Sequence, residues 1–151
     1  MINKKDLAII SHLRTNARMP LTKMSRKIQI PVSTIFDRLK IGEREFIQKH
    51  TCLLDFSKLG YKIRSNIIFK VEREDKEALK DYLMKHSAVN SLYKINNGFD
   101  FMLEGVFKDM QEMERFMDEL DKRFKITEKS SFYIIEDLKR ESFMSNPNMI
   151  F

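Results

Sequence analysis

Two short amphipathic segments separated by a proline-containing joint constrain the fold of this chain more than any other feature. In the first segment Leu21, Met24 and Ile28 recur at helical spacing. Pro20 suits the first turn of that helix, because the missing N–H of proline costs nothing there. Pro31 ends the helix, since the residue before a proline avoids helical geometry. Two helices around a tight joint form the pattern of a helix-turn-helix.

The flanking segments extend this pattern to a small domain. Apolar spacing predicts an earlier helix at residues 4–14. The helix that follows the joint has Ser33 as a candidate N-cap, and Gly42 is predicted to end it. β-branched and aromatic residues at 46–55 predict a strand, which would be the wing of a winged helix-turn-helix. A turn at residues 56–60 marks the end of the domain.

Beyond residue 60 the apolar pattern alternates between strand and helix periods. The predicted elements are strands at 61–71, 89–95, 99–107 and 126–138, with helices at 75–86 and 109–124. Asn97-Gly98 favours a hairpin turn, because these residues accept positive φ angles. The order β-α-β-β-α-β predicts a ferredoxin-like domain, so the whole chain is predicted to be α+β. Its two helices cover one sheet face, and a second copy of the chain would cover the other.

These patterns divide the chain into four parts. We predict a helix-turn-helix domain at residues 1–50, a wing strand and hinge at 51–60, a ferredoxin-like dimerisation domain at 61–141, and a C-terminal tail at 142–151.

Positive charge is concentrated in the first third of the chain. The whole chain carries a net charge of +6. Residues 1–50 contain 11 Lys and Arg against 4 acidic residues, whereas the remainder contains 17 against 18. A polyanionic partner such as double-stranded DNA would therefore bind the first third. The alternative is a solvated basic face that binds no partner.

The third helix is the candidate DNA-reading element, because short polar and long basic side chains can reach base edges in the major groove. Its predicted contacts are Ser33, Thr34 and Arg38, with Arg38 on a base edge or an adjacent phosphate. The predicted phosphate contacts are Lys23, Arg26, Lys27 and Lys40. Phe36 either contacts thymine methyl groups or packs beneath the wing, and we expect it to pack.

Several other classes of protein are disfavoured by the sequence. The three histidines share no metal-ligand spacing, and the single cysteine, Cys52, cannot form an internal disulfide. These observations predict no metal site, no cofactor and a reducing, cytoplasmic location. No apolar run is long enough to span a membrane. The chain also lacks a Gly-rich phosphate loop and a nucleophile elbow, so we do not expect an enzyme.

The sequence resembles the Lrp/AsnC, or feast/famine, family of transcriptional regulators over about residues 4–141. The segments that carry the resemblance are Asp6–Ile10, Ala17–Leu21, Val32–Leu39, Leu54–Gly60 and Asn97–Phe101. The resemblance implies a sequence-specific DNA-binding regulator, built as a dimer that can assemble into octamers or larger rings. Departures from the usual pattern occur at Gln29, Pro31 and Glu45, around the joint and the wing.

The resemblance also implies an effector site in the second half of the chain. In the family, the turn after the second strand faces a pocket between subunits that holds an amino acid or a similar small molecule. The corresponding residues are Asn97, Gly98, Phe99 and Asp100. A carboxylate such as Asp100 would suit the ammonium group of that effector. The alternative is a plain hairpin with a polar tip.

Two other functions share parts of this pattern. A sirohaem-decarboxylase-like enzyme would have the same two-domain architecture, although Arg38, Lys40 and the basic first third argue against it. An architectural DNA-binding protein would share the basic domain but would select no DNA sequence.

Overall fold

The computed structural model describes residues 1–149 and divides the chain into two compact units. The first unit contains residues 1–53 together with the C-terminal segment that begins at residue 138, and the second contains residues 54–137. The sequence placed the corresponding boundaries at residues 50, 60 and 141. The last two residues of the predicted tail, 150 and 151, lie outside the described residues.

The first unit is built around three helices: α1 (Lys4–Thr15), α2 (Leu21–Ile28) and α3 (Val32–Glu45). One buried apolar cluster holds them together, formed by Ile9, Met24, Ile30 and Ile35. A capping box starts α1, because the Asn3 side chain accepts a hydrogen bond from Asp6 N and Asp6 accepts one from Asn3 N. The periodicity of the sequence therefore predicts all three helices to within a few residues.

The joint between α2 and α3 has an unusual backbone conformation at Gln29. This residue lies in the left-handed region, with φ 55° and ψ 43°. The hydroxyl of Ser25 donates to the carbonyl oxygen of Ile30 at 2.6 Å and fixes the returning chain. The joint is therefore a left-handed turn of the kind that glycine usually makes, formed here by a residue with a side chain.

Replacing Gln29 with Gly is expected to raise the free energy of unfolding by about 0.5–1 kcal/mol. The left-handed conformation costs an L-residue about 1–2 kcal/mol, and the greater backbone entropy of unfolded glycine offsets part of the gain. Urea denaturation of the two proteins measures the difference. Gln29→Ala keeps a Cβ atom and serves as the control, which should show no gain.

Two predicted boundaries of α3 are wrong. The helix begins at Val32 after Pro31, and Ser33 lies inside the first turn, so it does not cap the helix. Gly42 does not end the helix, which continues to Glu45. A Cβ atom at Gly42 would lie 2.9 Å from Cζ of Phe46, so the glycine is needed for close packing at this position.

The strand predicted at residues 46–55 does not form. Ile47 N donates to Gly42 O at 2.8 Å, and residues 47–55 that follow α3 adopt no regular structure. A strand exists only when its backbone pairs with another strand. Among its described residues the first unit contains no strand, so this segment has no pairing partner there.

The C-terminal segment is part of the first unit and is not the loose tail that the sequence suggested. Arg14 Nε donates to the carbonyl oxygen of Phe143 at 3.0 Å, and its guanidinium forms an ion pair with Glu141 at 3.3 Å. The hydroxyl of Thr15 donates to Ser145 O at 3.2 Å. The end of α1 therefore holds this segment in place.

The second unit has the predicted β-α-β-β-α-β order. Its elements are β1 (Ile63–Val71), α4 (Lys76–Lys85), β2 (Val89–Lys94), β3 (Phe101–Phe107), α5 (Met110–Arg123) and β4 (Ile126–Tyr133). The strands form one antiparallel sheet in the order β2-β3-β1-β4, which confirms the predicted α+β topology. The last strand ends five residues earlier than predicted, at Tyr133.

The two faces of this sheet differ in exposure. Alternate residues of β1 and β3, such as Ile67 and Leu103, are fully buried against α4 and α5. The residues between them lie on the opposite face, where Ile68 pairs with Met102 and the ring of Phe132 is 58% exposed. The second unit therefore has one covered face and one partly apolar open face.

Candidate functional site

The outward face of α3 carries exposed side chains of mixed chemistry. Ile35 and Gly42 point into the unit and are buried. The opposite face exposes Ser33, Phe36, Asp37, Lys40 and Arg44. The Phe36 ring is 47% exposed, and Lys40 Nζ lies 4.5 Å from its centroid. Phe36 therefore does not pack beneath a wing as we expected, and it presents an apolar ring among polar groups.

Arg38 lies on a different face of α3 from the one predicted. Its Nε donates to Asp6 Oδ1 at 2.7 Å, and Nη2 donates to Asp6 Oδ2. Asp6 is only 3% exposed. The hydrogen bond from Arg38 lowers the pKa of Asp6, although burial opposes that shift. The guanidinium thus joins α1 to α3, and this geometry favours a structural role for Arg38 over the predicted base contact.

The remaining predicted DNA contacts lie on α2 and α3. Lys23, Arg26 and Lys27 on α2 are exposed, as are Ser33 and Lys40 on α3, while Thr34 is half-buried. Arg44 is an additional exposed cation on the outward face of α3. It was not predicted, because Gly42 was expected to end the helix. Lys40 and Arg44 lie on the outward face of α3, and the neighbouring helix α2 adds three exposed cations, which makes this pair of helices attractive to a polyanion.

The Asn97-Gly98 turn of the second unit has the predicted backbone conformation. Asn97 has φ 64° and Gly98 has φ 85°. Ile95 N donates to Asp100 O at 3.0 Å and closes the hairpin between β2 and β3. Asn97 and Gly98 are exposed at its tip, whereas Phe99 is half-buried. Positive φ angles at Asn-Gly confirm the hairpin prediction.

Asp100 is already engaged within the second unit. Its Oδ2 accepts a hydrogen bond from Val71 N at 2.9 Å, and its Oδ1 lies 3.0 Å from Lys76 Nζ. Burial raises the pKa of this carboxyl group, but these two partners outweigh burial and keep the pKa below its ordinary value. The carboxylate thus anchors the hairpin to β1 and α4, and a ligand ammonium would compete with Lys76 for it.

A cavity of about 340 Å³ lies close to this hairpin in the second unit. The side chains that line it include Lys80, Met84, Leu92, Lys94 and Phe101. This volume is at the small end of the range for sites that hold small molecules. Lys80 forms an ion pair with Glu77 at 2.7 Å, so Lys94 is the lining cation that would suit a small ligand with an apolar portion and a negative charge.

The family model described as the Lrp/AsnC ligand binding domain matches residues 67–143, about half of the 151 residues. The chain belongs to the Lrp/AsnC family. This assignment agrees with the α+β architecture and with the family resemblance of the sequence.

Curated relatives of this Lrp/AsnC protein match most of its length. An uncharacterised HTH-type transcriptional regulator of Pyrococcus abyssi is 31% identical over 126 residues, which cover 83% of this chain and 78% of the relative. An uncharacterised regulator of Pyrococcus horikoshii is 30% identical with the same coverage. The HTH-type transcriptional regulator FL11 of P. horikoshii is 26% identical and covers 78% of each chain.

Solved structures share the fold of this Lrp/AsnC protein. A transcriptional regulator from Neisseria meningitidis in complex with L-Met has a TM-score of 0.86 at 20% identity and covers 93% of this chain and 94% of its own. LrpC of B. subtilis has a TM-score of 0.83 at 21% identity, and the match covers 92% of this chain and 98% of LrpC.

Residues 1–149 contain neither a cluster of metal ligands nor a membrane-spanning helix. No group of three or more His, Cys, Asp or Glu side chains there is placed to hold a metal ion. Over the same residues, no helix combines the length and the apolar character needed to cross a bilayer.

Proposed function

We propose that this Lrp/AsnC protein is a sequence-specific DNA-binding transcriptional regulator that acts in the cytoplasm. The observation that carries the proposal is the outward face of α3, where exposed polar and apolar side chains occur together with the cations of α3 and of the neighbouring helix α2. In this proposal α2 and α3 form a helix-turn-helix, and α3 enters the major groove. The names of its relatives, which are HTH-type transcriptional regulators, support the same function.

The proposed contacts divide into two classes. Lys23, Arg26 and Lys27 on α2 bind phosphates, which supplies affinity without sequence preference. Ser33 and Thr34 on α3 lie closest to the bases, as the sequence predicted. Lys40, which was predicted as a phosphate contact, binds a phosphate beside them, and we add Arg44 to this class. Arg38 supports the recognition helix through Asp6 and is not among the proposed DNA contacts.

Selection of binding sites from random duplex DNA tests this function. A dimeric regulator should enrich an approximate palindrome, with half-sites about one helical turn, or a multiple of it, apart. Enrichment of no sequence, despite binding, would contradict the proposal and would favour an architectural DNA-binding protein. Absence of DNA binding at low salt would contradict both.

We also propose that the open sheet face of the second unit forms a homodimer interface. Ile68, Met102 and Val106 line this face together with the exposed ring of Phe132. Apolar side chains on an uncovered sheet face are stabilised when a second sheet packs against them. A dimer would also present two copies of α3 to the two halves of a palindromic operator.

Replacing Phe132 with Lys is therefore expected to dissociate the dimer. The substitution would place two ammonium groups in an apolar interface, where desolvation of each costs several kcal/mol. Size-exclusion chromatography with light scattering measures the mass of the particle. Phe143→Lys is the matched control, since Phe143 is 81% exposed and lies in the first unit. Retention of the dimer by Phe132→Lys would exclude this face as the interface.

The proposed effector is an amino acid or a similar small molecule bound beside the Asn97–Asp100 turn. The L-Met complex of the Neisseria regulator supports this class of ligand. The nearby cavity and its lining residue Lys94 provide room and a partner for a carboxylate. A thermal-shift screen of the common amino acids at millimolar concentration tests the proposal, because a bound ligand raises the unfolding temperature. A screen in which no amino acid shifts that temperature would contradict it.

A further inference from the structure

Phe36 is the most unusual side chain on the outward face of α3. Its ring is 47% exposed, and among the residues of α2 and α3 the exposed large apolar side chains are Val32 and Phe36. The other apolar side chains of the two helices are buried or half-buried in the cluster around Met24 and Ile35. An exposed ring on the proposed DNA-reading face points to a contact with the partner.

Lys40 holds the ring in a defined position. It follows Phe36 by one helical turn, and its Nζ lies 4.5 Å from the ring centroid, within the range of a cation–π contact. The ammonium lies over one face of the ring, and about half of the residue stays accessible to a partner. Phe36 is thus partly ordered before any partner binds, which lowers the entropy cost of a contact.

The surroundings of Phe36 identify the kind of partner that it fits. Lys40 lies over the ring, and Arg44 is exposed on the same side of α3, so the surface that carries Phe36 is basic and suits an anionic partner. Two apolar side chains are too few for a protein interface, which commonly buries more than about 1,000 Å². The major groove of DNA is a polyanionic surface that displays one small apolar group, the C5-methyl group of thymine.

We propose that Phe36 determines specificity by packing against a thymine methyl group in the major groove. The inference rests on the proposed function, because it requires α3 to enter that groove. It implies that each half-site of the operator carries a thymine at the position that faces Phe36. It also assigns to an apolar side chain a selectivity that we first assigned to Arg38.

The size of the effect follows from the area of one methyl group. Burial of one methyl-sized group is worth about 0.8 kcal/mol, which corresponds to about a fourfold change in affinity. Deoxyuridine pairs like thymidine and lacks only this methyl group. Replacing the critical thymine with deoxyuridine should therefore weaken binding about fourfold per half-site.

A cycle of protein and DNA changes tests the inference with the selected operator and the full chain. Each thymine is replaced by deoxyuridine in turn, and affinity is measured for the unsubstituted protein, Phe36→Ala and Phe36→Leu. We expect one position per half-site at which the unsubstituted protein prefers thymine about fourfold. Phe36→Ala should bind both bases equally there, whereas Phe36→Leu should keep part of the preference. Phe143→Ala should keep all of it, because Phe143 is exposed outside the three helices.

The possible outcomes separate this inference from the proposed function. A selected operator with no position sensitive to the methyl group would overturn the role of Phe36 and leave the regulator intact. Equal methyl preference in Phe36→Ala and the unsubstituted protein would also overturn it. Selection of no sequence would overturn the proposed function and this inference together. Unchanged binding of random DNA at low salt, with an unchanged circular dichroism spectrum, shows that Phe36→Ala is folded.

Discussion

Replacing Asp6 with Asn is expected to lower the free energy of unfolding of the first unit by about 2–3 kcal/mol. Asp6 is 3% exposed and accepts hydrogen bonds from Arg38 of α3 and from Asn3 N at the start of α1. In asparagine an NH2 donor replaces one carboxylate oxygen, so the hydrogen bond from Arg38 Nε is lost together with the negative charge that pairs with the guanidinium. Chemical denaturation followed by circular dichroism in the helical region measures the loss.

The same carboxylate should make the first unit sensitive to acid. Arg38 is the main cause of the lowered pKa of Asp6 in the folded protein. A group with a depressed folded pKa contributes stability above its unfolded pKa, which is about 4 for aspartate. That contribution is lost as pH falls through the lower, folded pKa. Asp6→Asn should therefore lose less stability on acidification than the unsubstituted protein.

Asp37→Asn provides the matched control for this substitution. Asp37 lies on the same helix as Arg38, but its side chain is exposed. Its replacement is expected to change the free energy of unfolding by no more than about 0.5 kcal/mol. A similar small change for Asp6→Asn, with an unchanged acid response, would show that the Asp6–Arg38 pair contributes little to the fold.

The sequence predicts the parts of this fold that depend on local pattern. Apolar spacing locates the helices, and Asn97-Gly98 locates the hairpin, because helix period and positive φ angles are properties of neighbouring residues. The predicted helix end at Gly42 is wrong, because this glycine packs closely against the ring of Phe46 and does not end the helix. The strand expected at residues 46–55 does not form for a related reason. Its residues have strand propensity, but a strand also needs a second strand with which to pair.

The candidate site was less predictable because its errors involve residues that are distant in sequence. Arg38 is basic and follows Ser33 and Thr34, which favoured a DNA contact. Its partner Asp6 lies 32 positions away. Asp100 was likewise proposed for a ligand, but Val71 and Lys76 already bind it. In both cases the intramolecular partner is distant in sequence or on another element, so local pattern could not identify it.

Replacing Lys23, Arg26 and Lys27 together with Ala is expected to weaken DNA binding about a hundredfold to a thousandfold per half-site at 0.1 M salt. Each phosphate contact releases counterions and contributes about −0.9 to the slope of log affinity against log salt. A dimer on its operator loses three contacts in each half-site, so that slope should become less steep by about 2.7 per half-site, or about 5.4 for the dimer. Fluorescence anisotropy with a labelled duplex measures the affinity and its salt slope. Salt concentrations from about 50 to 300 mM resolve the slope.

The triple variant Lys85→Ala, Lys108→Ala and Lys122→Ala removes the same charge from exposed positions of the second unit. Overall charge attracts DNA at long range, whereas counterion release requires direct contact between a cation and a phosphate. The control should therefore leave the salt slope unchanged within about 0.5. Equal loss of slope in both triple variants would show that net charge, and not the face formed by α2 and α3, holds the DNA.

Because the α2 cations bind phosphates in any sequence, their removal should weaken operator and random DNA equally, whereas loss of the Phe36 ring should weaken only the operator.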